Sequence, residues 1–152
     1  MAKNKVLTEG TVFAVPLQDG GFAIGLIARA SRRGVLLGYF WARWKELPDI
    51  GSLNIRRDDA ILIGRFGDLF LQTGRWIQLG KLSSWNRDEW PMPLFGREEM
   101  LTGRRWEVKY SNDDPNVLLG EYPAAANNDY LPDAMHGAEA VEIILKKRLS
   151  ER

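Results

Sequence analysis

The chain contains no cysteine and a single histidine, His136. Without thiols it can build no disulfide scaffold, thiolate zinc site, iron–sulfur cluster or cysteine nucleophile. One imidazole removes every site that needs two. No phosphate-binding loop ending in Gly-Lys-Ser/Thr and no Gly-x-Ser-x-Gly nucleophile elbow occurs. The longest apolar run, Gly34 to Trp44, is interrupted by Arg43 and falls far short of the roughly 20 residues that span a bilayer. The basic start, Met1 to Lys5, meets Glu9-Gly10 before any secretory apolar stretch develops. A cytoplasmic protein with no resident metal or cofactor and no membrane contact is the expectation.

What is present is an ordinary globular composition with a surplus of tryptophan. The chain has 152 residues, 45% hydrophobic and 27% charged, with six tryptophans. That size and balance predict one domain over residues 1–152 and argue against disorder. Net charge is +1, so no strong electrostatic preference follows for the whole molecule. The charges are unevenly spread: residues 1–105 are Arg-rich and net basic, and residues 106–152 are mildly acidic.

Hydrophobic periodicity is clearest near the start. Thr11–Leu17 and Phe22–Ala28 are β-type runs joined by Gln18-Asp19-Gly20-Gly21, and Asp-Gly supplies the positive φ that tight hairpin turns need. Phe22, Ile24, Leu26 and Ala28 share a face at period two. A turn over Arg29–Gly34 leads to a third strand with Val35, Leu37, Tyr39 and Trp41 on one side and Leu36, Gly38 and Phe40 on the other. Two apolar faces mean cover on both sides. Gly25 and Gly38 mark bulges or close approaches.

Further strands are predicted at Ala60–Gly64 and Arg104–Tyr110, the latter pairing back with Val117–Tyr122, and Gly67–Leu79 reads as a second hairpin or tight loop. From Asp133, a plausible N-cap, Ala134, Ala138, Val141, Leu145 and Leu149 fall at helical spacing, with acidic residues early and basic ones late. A strand through Val141–Leu145 is the rival; the helix is preferred. The expected fold is mainly β: a strongly bent antiparallel sheet or partly open small barrel spanning 10–123, with a C-terminal helix at 133–149.

Catalytic constellations are sparse. The adjacent carboxylates Asp58-Asp59, Asp88-Glu89, Glu98-Glu99 and Asp113-Asp114 would point to opposite faces of a strand and do not converge on a cation. Glu107 and Lys109 share a strand face and, with Asp49, resemble part of a magnesium nuclease site; the pattern is short and common and the spacing from Pro48-Asp49 too loose, so a cross-strand ion pair accounts for them better. His136 is expected in a local polar role. Tryptophan and arginine remain. Trp41, Trp76 and Trp106 suit the core. Trp44, Trp85 and Trp90 lie in loop-like or polar context, and with Arg43 and Arg75 they form a candidate partner-binding rim, because Trp and Arg carry much of the binding energy at interfaces. The same residue types could stack bases and track phosphates, so a nucleic-acid-binding small barrel is the alternative, although the near-neutral charge speaks against it.

The opening segment Thr11–Gly25, with its Asp-Gly turn and glycine-containing second strand, resembles the opening hairpin of the immunity protein 26 family of bacterial polymorphic toxin systems. Phe66-Gly67-Asp68-Leu69 followed by Gly74-Arg75-Trp76-Ile77-Gln78-Leu79-Gly80 is similar to that family's second mark, a short apolar strand and a Gly-x-Trp strand. The resemblance covers roughly residues 10–95, with Gly10-Thr11 standing where the family often shows Gly-Asp. It implies a small, mostly β protein that binds a cognate toxin and blocks it, without enzymatic activity.

Overall fold

The structure, a computed structural model, describes residues 5–125 and 129–150. Strands β1 (Thr11–Pro16), β2 (Phe22–Ala30) and β3 (Val35–Trp44) form the expected antiparallel meander. β4 (Leu62–Gly67) adds to β3, and β5 (Ile77–Lys81) adds to β1. The second sheet contains β6 (Phe95–Glu98), β7 (Arg105–Tyr110), β8 (Leu118–Pro123) and β9 (Leu131–Pro132). A two-residue β10 (Met135–His136) joins β4 in parallel, so the large sheet runs β10-β4-β3-β2-β1-β5 and the small one β8-β7-β6-β9. Both sheets are bent and mixed, and neither closes into a barrel.

Period-two alternation sorts the apolar residues of the large sheet into two cores. Val12, Ala14, Ile24, Leu26, Leu37, Tyr39 and Trp41 face the small sheet and meet Phe95, Val108 and Tyr110. Phe13, Val15, Ile27, Leu36, Phe40 and Phe66 face the other way and are covered by Leu71, Trp76 and the helix residues Ala138, Val141 and Leu145. The two apolar faces of β2 and β3 are each buried, as their patterning requires. Gly25 and Gly38 are close approaches: a Cβ on either would lie 2.2 Å from the Phe13 ring or 2.4 Å from the Phe66 ring.

Two local expectations are corrected. Gly67–Leu79 is not a hairpin. It holds a short helix, α1 (Leu69–Thr73), ended by Gly74 in the left-handed conformation, and β5 then crosses to the far edge beside β1. The cause is burial: Leu71 and Trp76 both enter the second core, and the Trp76 indole stacks on Phe13 at 5.5 Å. The C-terminal helix, α2, spans Ala138–Ser150 rather than starting after Asp133. Asp133 is drawn into tertiary bonds instead of capping. Its carboxylate accepts from the Tyr110 hydroxyl (2.6 Å) and Arg65 (3.4 Å), and Met135 and His136 are taken by β4. From Ala138 on, the predicted face Ala138, Val141, Leu145 is the buried one.

Candidate functional site

The five sequence candidates separate into two groups. Arg43 lies at the end of β3 and binds the β1–β2 turn, donating to both Asp19 carboxylate oxygens (3.3 and 3.2 Å) and to the Gly20 carbonyl (2.9 Å). Those bonds hold the Asp19 carboxyl below its ordinary range. Arg75 lies 4.4 Å over the Phe70 ring and forms a bidentate pair with Glu142 of α2 (3.1 and 2.6 Å). The same Glu142 carboxylate accepts the Trp76 indole N–H at 3.0 Å. A cleft of about 450 Å³ between the turn and α2 is lined by Leu17, Asp19, Phe70, Arg75 and Ile143, so Arg43, through Asp19, and Arg75 flank one recess.

The tryptophans sit on the other side of the large sheet. Trp44 is half-buried against the first core. Trp85 is half-buried and stacks on Trp90 at 6.2 Å. Trp90, expected near the surface, is only 5% exposed: its ring meets Tyr39 and Trp41 edge-on at 5.0 and 5.8 Å. Conversely Trp106, expected in the core, is half-buried. Local context misled because Trp90 belongs to a loop that folds down over the first core, whereas Trp106 starts β7 where that strand runs out past it.

At that outer end the structure builds a tryptophan–arginine cluster that sequence reasoning assigned elsewhere. The Arg97 and Arg104 guanidinium groups lie 5.5 and 5.8 Å from the Trp106 ring centre. Arg97 is bidentate to Glu121 of β8 (2.7 and 3.1 Å), and the indole N–H donates to Glu99 at 2.8 Å. The available signal was Arg104-Arg105-Trp106 itself, together with the apolar pair Met100-Leu101 set between Glu98-Glu99 and Thr102-Gly103.

A second residue that sequence reasoning missed is Arg29, placed in a turn but observed within β2 and 1% exposed. It donates to the Asn112 carbonyl (2.6 Å), the Asn112 side chain (3.1 Å) and the Ala28 carbonyl (2.6 Å). Arg87 completes the network through Glu9 (2.7 Å), Asp113 (2.7 Å) and the Asn112 carbonyl (2.9 Å). Burial pulls the Arg29 pKa down, and the Arg87 charge adds to that effect. The signal was a charge on an otherwise apolar strand face. Its work is structural: it ties β2 to the β7–β8 turn.

The polar residues weighed for catalysis are engaged separately. Asp49 caps a short 3-10 turn through the Gly51 N–H. Glu107 accepts from the Tyr130 hydroxyl at 3.3 Å. His136 lines a different cleft with Ile63, Pro132 and Arg148, where burial first, then Arg148 and Arg65, lower its pKa. Among the described residues no cluster of three or more His, Asp or Glu side chains could hold a metal ion, and no helix is long and apolar enough to cross a membrane. The geometry on offer is a set of surfaces built from fixed Arg, Trp and apolar side chains.

No curated protein and no solved structure matches this chain. The family model described as immunity protein 26 matches residues 8–107, a span that runs from the entry to β1 into β7, and the chain belongs to that family.

Proposed function

We propose that the protein is a cytoplasmic immunity protein that neutralises a cognate bacterial toxin by binding it, without chemical conversion of the toxin or of any cofactor. The observation that carries this reading is the family match over residues 8–107. The site geometry agrees with it: the arginines and tryptophans are held by ion pairs, stacking and hydrogen bonds, which suits a preorganised binding surface. Of the sequence candidates, Arg43 and Arg75 are exposed and Trp44 and Trp85 half-buried, so each keeps area for a partner, whereas Trp90 would act from below by fixing the Trp85 ring.

The test is co-expression with the toxin encoded beside this gene. Survival of the cells and a stoichiometric complex on size-exclusion chromatography are expected, with the mass of the toxin unchanged. Neither protection nor a complex, or a toxin recovered in covalently altered form, would overturn the reading.

A further inference from the structure

The β6–β7 hairpin becomes steadily more exposed toward its tip. Phe95 and Val108, opposite each other in register, are buried in the first core. The next inward-facing pair, Arg97 and Trp106, is half-buried, and Glu98 and Arg105 are at or near the surface. At the tip Met100 and Leu101 are 99% and 100% exposed. Apolar side chains so fully uncovered do nothing for folding.

The tip backbone is nonetheless fixed. Glu99 N–H donates to the Arg104 carbonyl (2.8 Å) and Gly103 N–H to the Glu99 carbonyl (2.9 Å). Gly103 has φ +71°, the left-handed turn conformation that glycine adopts without strain. The Glu99 carboxylate accepts from the Thr102 hydroxyl (2.8 Å) and the Trp106 indole (2.8 Å), and Thr102 in turn accepts from Arg104 N–H (3.2 Å). Arg104 lies over the indole and, among the described residues, makes no ion pair. A rigid turn therefore displays two bare apolar side chains beside an Arg–Trp base.

Building on the toxin-binding reading above, we propose that this hairpin tip is the element that grips the toxin: Met100 and Leu101 insert into an apolar pocket of the toxin whose rim carries carboxylates that meet Arg104. A preorganised turn loses little conformational entropy on docking, Trp and Arg are the side chains that most often dominate interface energies, and Met is enriched at interfaces. A second copy of this chain is the poorer occupant. A two-fold contact must be self-complementary, and two convex knobs do not fill each other. Another exposed apolar strip, Leu118, Leu119 and Tyr122 on β8, lies on a sheet edge blunted by a bulge and by Pro123, devices that discourage strand addition. It also lies beyond the matched span, whereas the tip lies inside it.

The experiment compares wild type, the double variant Met100→Asp/Leu101→Asp, Arg104→Glu and the control Leu118→Asp. Binding to the product of the neighbouring toxin gene is measured by calorimetry. Thermal melts and sedimentation of each variant alone accompany it. The double variant is expected to bind at least roughly 30-fold more weakly with an unchanged melt. Arg104→Glu should weaken binding and reduce its salt sensitivity, and Leu118→Asp should bind as wild type does. Double-variant affinity within a few-fold of wild type would overturn the hairpin assignment and leave the toxin-binding reading standing. Loss of binding in Leu118→Asp alone, or a wild-type dimer that the double variant abolishes, would overturn it too. Absence of any wild-type complex would overturn both readings together.

Discussion

Glu142 ties α2 to the segment that leads into β5, and the two arms of that contact differ in worth. Its carboxylate is 17% exposed and receives two donors from Arg75, whose own side chain is 57% exposed, plus the N–H of Trp76, an indole only 1% exposed. The Arg75 arm is largely solvated, so it contributes at most about 1 kcal/mol. The Trp76 arm is buried. Removing its acceptor leaves an orphaned donor, at a cost of about 1–3 kcal/mol. Glu142→Ala should therefore lose about 1–4 kcal/mol in all, slightly eased by the helix preference of alanine. Arg75→Ala should lose no more than about 1 kcal/mol. Glu142→Gln keeps an acceptor for the indole and should fall between them. Equilibrium urea unfolding followed by tryptophan fluorescence reads these values, and the Glu142→Ala melt should fall by about 2–16 °C. If Arg75→Ala costs as much as Glu142→Ala, or Glu142→Gln as much as Glu142→Ala, the assignment of the lock to the indole is wrong.

Gly25→Ala would place a methyl 2.2 Å from the Phe13 ring, which is wedged against Trp76 and Phe40. Overpacking of about 1–3 kcal/mol or more is expected, and Phe13→Leu should relieve part of it, seen as a coupling term in a double-mutant cycle of urea midpoints. His136 has its pKa lowered by burial and by Arg148 and Arg65, so the unfolded chain binds the proton more readily. Stability should fall as pH drops through about 6.5, and His136→Gln should flatten that slope in pH-dependent melts. The Tyr110 hydroxyl, buried and donating to Asp133, has its pKa pushed up to about 12. The folded state therefore keeps a proton that the unfolded state gives up, and stability should decline between about pH 10 and 12. A spectrophotometric titration in which Tyr110→Phe removes the last tyrosinate step checks this.

The meander was legible because strict alternation on β2 and β3 has only one geometric solution, a strand with both faces covered. Gly25 and Gly38 announced their close approaches for the same reason: in a run of large residues they leave room for a ring. The helix face Ala138, Val141, Leu145 was equally legible from its spacing. Its start was not, since Asp133 looks like a cap and only the folded chain brings Tyr110 and Arg65 to its carboxylate. The site was harder. Whether a tryptophan is core or rim depends on what lies across from it, and neither Trp90 nor Trp106 carries that information locally. Trp90 is buried by Tyr39 and Trp41, roughly fifty residues upstream, and Trp106 is half-open because it sits one inward-facing pair beyond the buried Phe95–Val108 pair, toward the exposed tip of the hairpin. Arg29 was missed because its partner Asn112 is 83 residues away in sequence.

Burial on both faces also limits where a partner can dock. The central strands β1, β2 and β3 have one face under α1, Trp76 and α2 and the other under the small sheet, so a toxin cannot reach a sheet face without dismantling a core. Contact falls to the periphery: edges, turns and the projecting end of the small sheet. Edge strand β5 is partly screened by Ile50 and β8 carries its bulge and proline. The β1–β2 turn is tied down by Arg43 and by Lys146, which donates to Gln18 at 2.9 Å. The β6–β7 tip differs from all of these in joining a fixed backbone to uncovered apolar side chains. If the proposed toxin contact lies there, few substitutions at the tip should suffice to change which toxin is recognised, because a scaffold closed on both sides leaves little other apolar surface to compensate.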